Sequence, residues 1–380
     1  MHDKNMDLFK SKKLIGDHLV KLTSELISFP SHVQEPLKIY ELIKYVKAYF
    51  EGDPLTIIEE SINGLPALII TTEQTKHPHI LLSGHIDIVT ANAPYTARVE
   101  EGKLYGTGAM DMKGGVACMM AILKYFSGAT QIPSLGLMLT SDEEVGGNGT
   151  RTLLEHGYTT DFCIVGEGRH KYDIVIREKG LLVVKLRLSG NALHSAYPWK
   201  VINVLEELMS MCLAIKEKFP KPRDAWTPTI SITSLHGGRD LNTIPAEAEA
   251  IISCRLTGGQ RWDRESILKM IKKYSRDADI QEMVYGEVFK MDKEDHYLKL
   301  LKMTAQEVTS KRISFGQNHG ASDARHFRLK NIPTAILGPV GNYHHSPDEF
   351  VYVDSLTEHF EVLRHFIETE QKNIPLNSGT

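Results

Sequence analysis

No stretch of this chain stays apolar over the roughly 18 residues that a membrane-crossing helix needs. The longest apolar candidates, such as 132–140, are strand-sized. Cysteine is scarce. Cys118, Cys163, Cys212 and Cys254 are the only four, far apart and without a C-x-x-C spacing. That excludes a disulfide framework and suits small buried hydrophobes in a reducing compartment. An excess of one charge is missing as well: 44 Lys plus Arg against 48 Asp plus Glu leave a formal charge of −4. So balanced a chain has no bulk attraction to nucleic acid or to an anionic membrane. There is no internal repeat and no low-complexity tract. The opening Met1–Met6 has neither a basic n-region nor an apolar h-region, so no signal peptide is expected and a cytoplasmic location is. What the chain has in plenty is histidine, 17 in 380 residues, and that excess motivates a search for metal ligands.

Apolar residues recur at helical spacing over 14–27 and 36–50, split by Pro30. Short apolar runs follow at 67–71, 80–83, 135–140, 162–165 and 334–337, with helical patterns at 115–126 and 149–156. Strand–helix alternation of this kind predicts an α/β fold, a mostly parallel sheet flanked by helices. Residues 181–189 and 246–256 instead alternate apolar with charged positions, and helical patterns lie at 201–216 and 266–274. These features predict a smaller inserted α+β domain at 177–287, interrupting a larger domain formed by 1–176 and 288–380. Helical patterns return at 298–308 and 356–367, and the tail 373–380 is expected to fray.

Chemistry-bearing side chains gather where apolar runs end. His85 and Asp87 close the run Leu81–Ser83, and ligands of α/β sheets bind at the carboxyl ends of strands. A histidine beside a carboxylate also has the usual arrangement of an oriented metal ligand. The loop Gly106–Gly115 fails both nucleotide templates. Asp111 stands where a dinucleotide loop would have its third glycine, and no Gly-Lys-Ser/Thr is present. A carboxylate in a tight loop suits a cation better than a phosphate. Asp142-Glu143-Glu144 follows the run Leu137–Thr140. A cation there would relieve the repulsion, one carboxylate binding it while a neighbour accepts a proton from water. Glu167 follows Ile164–Gly166, and His344-His345 precede Ser346–Glu349. His85, Asp111, Glu144, Glu167 and His345 make a two-histidine, three-carboxylate set. Such mixed N/O donors suit zinc, cobalt or manganese, and five side chains suit two ions sharing one carboxylate.

The order and wording of these motifs resemble the two-zinc peptidases and deacylases, the family of acetylornithine deacetylase, succinyl-diaminopimelate desuccinylase, aminoacylase and glutamate carboxypeptidase. The resemblance runs from about Leu81 to Val353. It implies a catalytic domain with an inserted lid through which the chain forms a homodimer. It implies two Zn2+ per subunit, with Co2+ or Mn2+ as alternatives. By position, His85 and Glu167 resemble the ligands of one zinc, Glu144 and His345 those of the second, and Asp111 the bridge, followed by a cis peptide bond. The spacing His-x-x-Asp-Glu selects His345 over His344. Asp87 resembles the residue that orients His85, and Glu143 the general base. His194, in Ala192–Pro198, resembles a lid histidine that reaches the partner's active site. Asn242, in Asn242–Pro245, and Arg325, in Gly320–Arg325, resemble residues that hold a substrate's carboxylate end. Thr90 and Gly168 stand where proline is frequent, and the second leaves the turn after Glu167 freer.

The expected activity is metal-dependent hydrolysis of the amide of an N-acyl amino acid, a small-molecule substrate, with no nucleic acid and no membrane involved. A di- or tripeptidase shares every catalytic residue and is the alternative. A non-catalytic binder of amino-acid-like ligands is the minor one, disfavoured because every ligand position is filled.

Overall fold

The computed structural model describes residues 7–90, 95–221 and 226–373, so the tail beyond Asn373 lies outside the described residues. Two amphipathic helices open the chain. Helix α1 (Lys12–Ile27) starts where Ser11 Oγ accepts the Leu14 N–H, and α2 (Pro36–Tyr49) starts on a proline, which has no N–H to leave unpaired. Their buried stripes are Leu19, Leu22 and Leu26 in one, Ile39, Leu42, Ile43 and Val46 in the other. The strands β1 (Thr56–Ile62), β2 (Leu65–Thr71) and β3 (Ile80–His85) follow, and all six residues of β3 are buried. Helix α3 (Gly114–Ser127) is apolar nearly all round and accordingly buried nearly all round. Its Lys124 is accommodated by an ion pair to Asp53 at 2.6 Å and a hydrogen bond to the Tyr49 carbonyl at 2.7 Å. Next come β4 (Leu135–Thr140), α4 (Asn148–Glu155), β5 (Phe162–Val165) and β6 (Ile174–Glu178).

The chain then enters a different pattern: β7 (Gly180–Ser189), β8 (Leu193–His194), α5 (Val204–Lys216), β9 (Thr229–Gly237), β10 (Thr243–Ile244), β11 (Glu247–Leu256), α6 (Arg264–Tyr274) and β12 (Asp279–Gly286). It closes with α7 (His296–Thr309), α8 (Ala324–Leu329), β13 (Thr334–Ile336) and α9 (Val353–Asn373). Two compact units result. The first comprises Met1–Ile176, Met291–Gly316 and Ser322–Thr380; the second comprises Arg177–Lys290 and Gln317–Ala321.

In the first unit the main sheet runs β1-β2-β4-β3-β5-β13-β6. Its centre, β4, β3, β5 and β13, is parallel, and antiparallel strands flank it on both sides. The parallel centre is the α/β architecture that strand–helix alternation called for. Its core joins the stripes of α1 and α2 to α3 and to Leu356, Phe360, Leu363 and Phe366 of α9. Because the four central strands point the same way, the residues that follow β3, β4 and β5 emerge along one edge. A small second sheet (Arg98–Glu100, Lys103–Tyr105, Gly341–Asn342, Phe350–Tyr352) brings the 341–352 segment beside the 103–111 segment.

In the second unit the antiparallel sheet β9-β11-β7-β12 turns one face onto α5 and α6. Leu182, Val184, Leu186 and Leu188 of β7 and Ala248, Ala250, Ile252 and Cys254 of β11 form that face. Charged residues take the other, where Arg187 Nη2 lies 2.7 Å from Glu247 Oε2. The alternation in the sequence identified β7 and β11; the pairing strands β9 and β12 complete the sheet. All four cysteines are buried free thiols, and among the described residues no helix is long and apolar enough to cross a membrane.

Candidate metal centre

His85 is the last residue of β3, with its side chain only 1% exposed. Its Nδ1 faces Asp87, 3.1 Å from the backbone carbonyl and 3.4 Å from Oδ1. Both of those are acceptors, so Nδ1–H donates toward Asp87, and Nε2 faces the opposite way. Asp87 is fully buried, and its two carboxylate oxygens also accept the N–H groups of Glu143 and Glu144, at 3.3 and 3.0 Å. One carboxylate therefore orients the histidine at the end of β3 and the acidic turn after β4.

His85 Nε2 faces Asp111 Oδ1 at 3.2 Å and Glu167 Oε1 at 3.7 Å. On the other side of the same aspartate, His345 Nε2 faces Asp111 Oδ2 at 3.2 Å and Glu144 Oε1 at 3.0 Å. Asp111 thus stands between two donor groups, one oxygen toward each. His85, Asp111 and Glu144 offer ligand atoms all within 4.8 Å of one another. The five side chains singled out in the sequence meet at one edge of the sheet.

The electrostatics follow from this crowding. Burial alone would raise the Asp111 carboxyl, but hydrogen bonds from His345 and His85 outweigh it and hold the group well below the ordinary range. Burial alone would lower His85, yet its contacts with Asp111 and Asp87 push it well above the usual imidazole value. The same contacts with Asp111 and Glu144 push His345 up to about 10. Glu143, partly open to solvent yet packed among Asp111, Glu144 and Asp323, has its carboxyl raised by burial and by those neighbours, against the pull of His85. The donors are imidazole nitrogens and carboxylate oxygens, the borderline set of zinc-class ions. Ligand atoms about 2.1 Å from a tetrahedral ion stand about 3.4 Å apart. The observed spacings of 3.0–3.7 Å bracket that value. These residues fit two divalent ions.

The loop carrying Asp111 is held from the far end of the chain. Glu349, 2% exposed, accepts the N–H groups of Gly108, Met110 and Asp111 at 2.9, 2.8 and 2.9 Å. The Asp111–Met112 peptide bond is cis. Sequence reading used Glu349 only as a spacing mark for His345. Asp142 was likewise overlooked as a structural acceptor: its carboxylate takes the Gly149 N–H at 3.0 Å, bracing the turn that carries Glu143 and Glu144.

Two expectations need correction. Arg325 is not a free guanidinium awaiting a substrate carboxylate. It is 6% exposed, and it donates to the carbonyl of Gly146 at 2.8 Å and of Ser322 at 3.0 Å. Its charge lies behind the acidic turn, near Asp323 at 4.0 Å. Nor is Gly168 a loosened proline position: a Cβ there would lie 2.1 Å from the Met110 carbonyl oxygen, so no other residue fits against the Asp111 loop. The His344 ring lies tilted against the His170 ring, with centroids 5.3 Å apart, and stands beside His345. In the second unit, His194 and Asn242 are exposed neighbours: β8 pairs with β10, His194 opposite Thr243, and the Asn242 carbonyl accepts the Ser195 N–H at 2.7 Å.

Comparison with known proteins agrees with this geometry. The description "Peptidase family M20/M25/M40" matches residues 81–369. A succinyl-diaminopimelate desuccinylase of Gluconacetobacter diazotrophicus is 31% identical over 317 residues, covering 77% of this chain and 81% of that one. An M20 family metallo-carboxypeptidase from Sulfolobus solfataricus superposes with a TM-score of 0.79 at 18% identity, covering 92% of this chain and 98% of that one. A tripeptidase from Staphylococcus aureus does so at 0.78 and 18%, covering 94% and 99%. This chain belongs to the peptidase family M20/M25/M40. It is a metal-dependent hydrolase of amide bonds.

Proposed function

We propose that this chain cleaves the amide bond of an N-acyl amino acid, a succinylated or acetylated one, as a homodimer in a reducing, cytoplasmic compartment. The observation that carries the reading is Asp111, with its two oxygens turned to two separate histidine–carboxylate pairs. The sequence likeness to a desuccinylase favours the acyl substrate. The four buried thiols suit the compartment.

His85, Glu167 and Asp111 Oδ1 would hold one divalent ion, and His345, Glu144 and Asp111 Oδ2 a second, zinc by the donor set. Bound there, the pair supplies the Lewis acidity that polarises the amide carbonyl and makes water acidic near neutral pH. Everything else falls to the protein. Asp87 keeps the Nδ1 proton of His85 in place. Glu143, next in sequence to a ligand but with its own carboxylate uncommitted to the set, takes the proton of the attacking water and returns it to the leaving nitrogen. His194, exposed and supplied by a second copy of the chain, donates to the carbonyl oxygen as negative charge grows. Asn242, beside it, orients the substrate.

The test is a panel of N-succinyl and N-acetyl amino acids alongside unblocked di- and tripeptides, incubated with the zinc- or cobalt-loaded protein and with a chelator-treated control. Chelator-sensitive release of succinate or acetate is the expected result. Turnover confined to the peptides makes the chain a di- or tripeptidase with the same machinery. No turnover by protein that holds two ions leaves a binding role for amino-acid-like ligands.

A further inference from the structure

The metal centre uses two of the 17 histidines, and a second concentration lies at the opposite end of the same strands. His79 directly precedes β3, Asp161 directly precedes β5, His296 opens α7, and Glu370 lies in the last turns of α9. A six-residue strand spans about 20 Å, which separates this group from the carboxyl edge.

The chemistry of the group is unbalanced. His79 Nδ1 lies 2.8 Å from Asp161 Oδ2. A carboxylate only accepts, so Nδ1–H donates there. The other ring nitrogen, Nε2, faces a second carboxylate oxygen, Glu370 Oε1, 3.4 Å away. His296 Nε2 reaches the same oxygen at 3.7 Å. The Glu370 side chain is 5% exposed, and its Oε2 is buried with no hydrogen-bond partner among the described residues. Two imidazole nitrogens therefore converge on one buried carboxylate at separations too long for charge-assisted hydrogen bonds, which run about 2.7–2.9 Å. They match the spacing of two ligands across a tetrahedral ion, about 3.4 Å. The Asp161–His79 pair is also the carboxylate–histidine arrangement that orients a metal ligand from outside.

We propose that His79, His296 and Glu370 form a second, separate site for a zinc-class ion at the amino edge of the sheet, with Asp161 orienting His79. Only His85, Asp111 and Glu144 among the described residues hold three ligand atoms already within 4.8 Å of one another. Closure of this second site therefore requires the His296 ring, 66% exposed and lying 3.8 Å from the Tyr297 ring, to swing toward His79. The ion would tie the start of β3, the start of α7 and the end of α9, three segments far apart in sequence. Its role is structural, since water and substrate at the carboxyl edge do not meet it.

The experiment compares zinc content per chain, after dialysis at one free zinc concentration, for the full-length protein and three variants. His296→Gln and His79→Gln should each bind one ion fewer than the unaltered chain, with amide hydrolysis unchanged. His77→Gln is the control. Its ring already spends Nδ1 on Thr159 and Nε2 on Asp161, at 2.8 and 3.0 Å, so its zinc content should equal that of the unaltered chain. Equal zinc in all four proteins overturns the proposal, and so does an equal loss in His77→Gln. Because the readout is a difference between variants, it does not depend on how many ions the carboxyl edge holds. His296 is exposed, so its variant remains informative if His79→Gln fails to fold.

Discussion

Glu143 and Glu144 are adjacent in sequence and unlike in circumstance. Glu144 Oε1 lies 3.0 Å from His345, inside the donor set, whereas Glu143 stands beside the set with its carboxyl pushed up by burial and by its acidic neighbours. Replacing Glu143 by Gln should leave the metal content intact and lower kcat roughly 10²–10⁴-fold, the range of a lost general base. Metal analysis and steady-state rates on one preparation check both halves, and an unchanged rate would remove Glu143 from the chemistry. A different residue governs acid stability. His359 is fully buried, which pushes its imidazole down to about 3 from the ordinary 6.5. Above about 6.5 the ring is neutral folded and unfolded, so it imposes no penalty. As pH falls below that, the unfolded chain takes up a proton that the folded chain refuses until about 3. Stability is lost across that window, by up to about 1.4 kcal/mol per pH unit. In His359→Gln, denaturant melts across the same window should show a shallower slope.

At the scale of elements, the edge that carries the metal set is braced by buried hydrogen-bonding side chains. Glu349 closes three backbone N–H groups of the Asp111 loop, and burial pushes its carboxyl up to about 7. Glu349→Ala strands those donors in the interior. We expect a loss of about 3 kcal/mol or more in urea unfolding and weaker retention of metal in dialysis. Glu349→Gln, which keeps one acceptor oxygen, should recover part of both. Arg325 acts comparably on the acidic turn through the Gly146 carbonyl, and the packing there is tight: a Cβ on Gly147, at φ +65°, would lie 2.0 Å from Asp323 Oδ1. The strands themselves were legible where they are buried. The run 135–140 reappears as β4 with the same ends, and 80–83 extends by two residues to include His85. Of the strands that no apolar run marks, β1, β9 and β12 carry exposed or half-exposed residues along much of their length, while β6 is short and buried at Ile174, Val175 and Glu178. Such strands owe their order to the neighbours they pair with, and apolar pattern alone does not mark them.

At the scale of the whole molecule, the proposed His194 role makes activity depend on association. His194 and Asn242 are exposed in the second unit, apart in sequence from every metal-set residue. Sedimentation of the active protein should show a dimer. His194→Ala should lose rate without losing metal or dimerisation. A monomer of full activity would refute the arrangement in which a second copy supplies that histidine.

The residues of the metal set, their order, and the α/β alternation that carries them followed from the sequence, because buried strands are written as short apolar runs and polar ligands stand out at their ends. The sharing of Asp111 between two histidine pairs was suggested by resemblance, and only the fold brings residues 85, 111, 144, 167 and 345 to one edge. What tertiary structure alone decided is the support: Glu349 beneath Asp111, and Arg325 turned inward to a backbone carbonyl. A side chain's hydrogen-bond partner depends on which surface another segment presents to it. For Glu349 that partner lies about 240 residues earlier, beyond the reach of any local pattern.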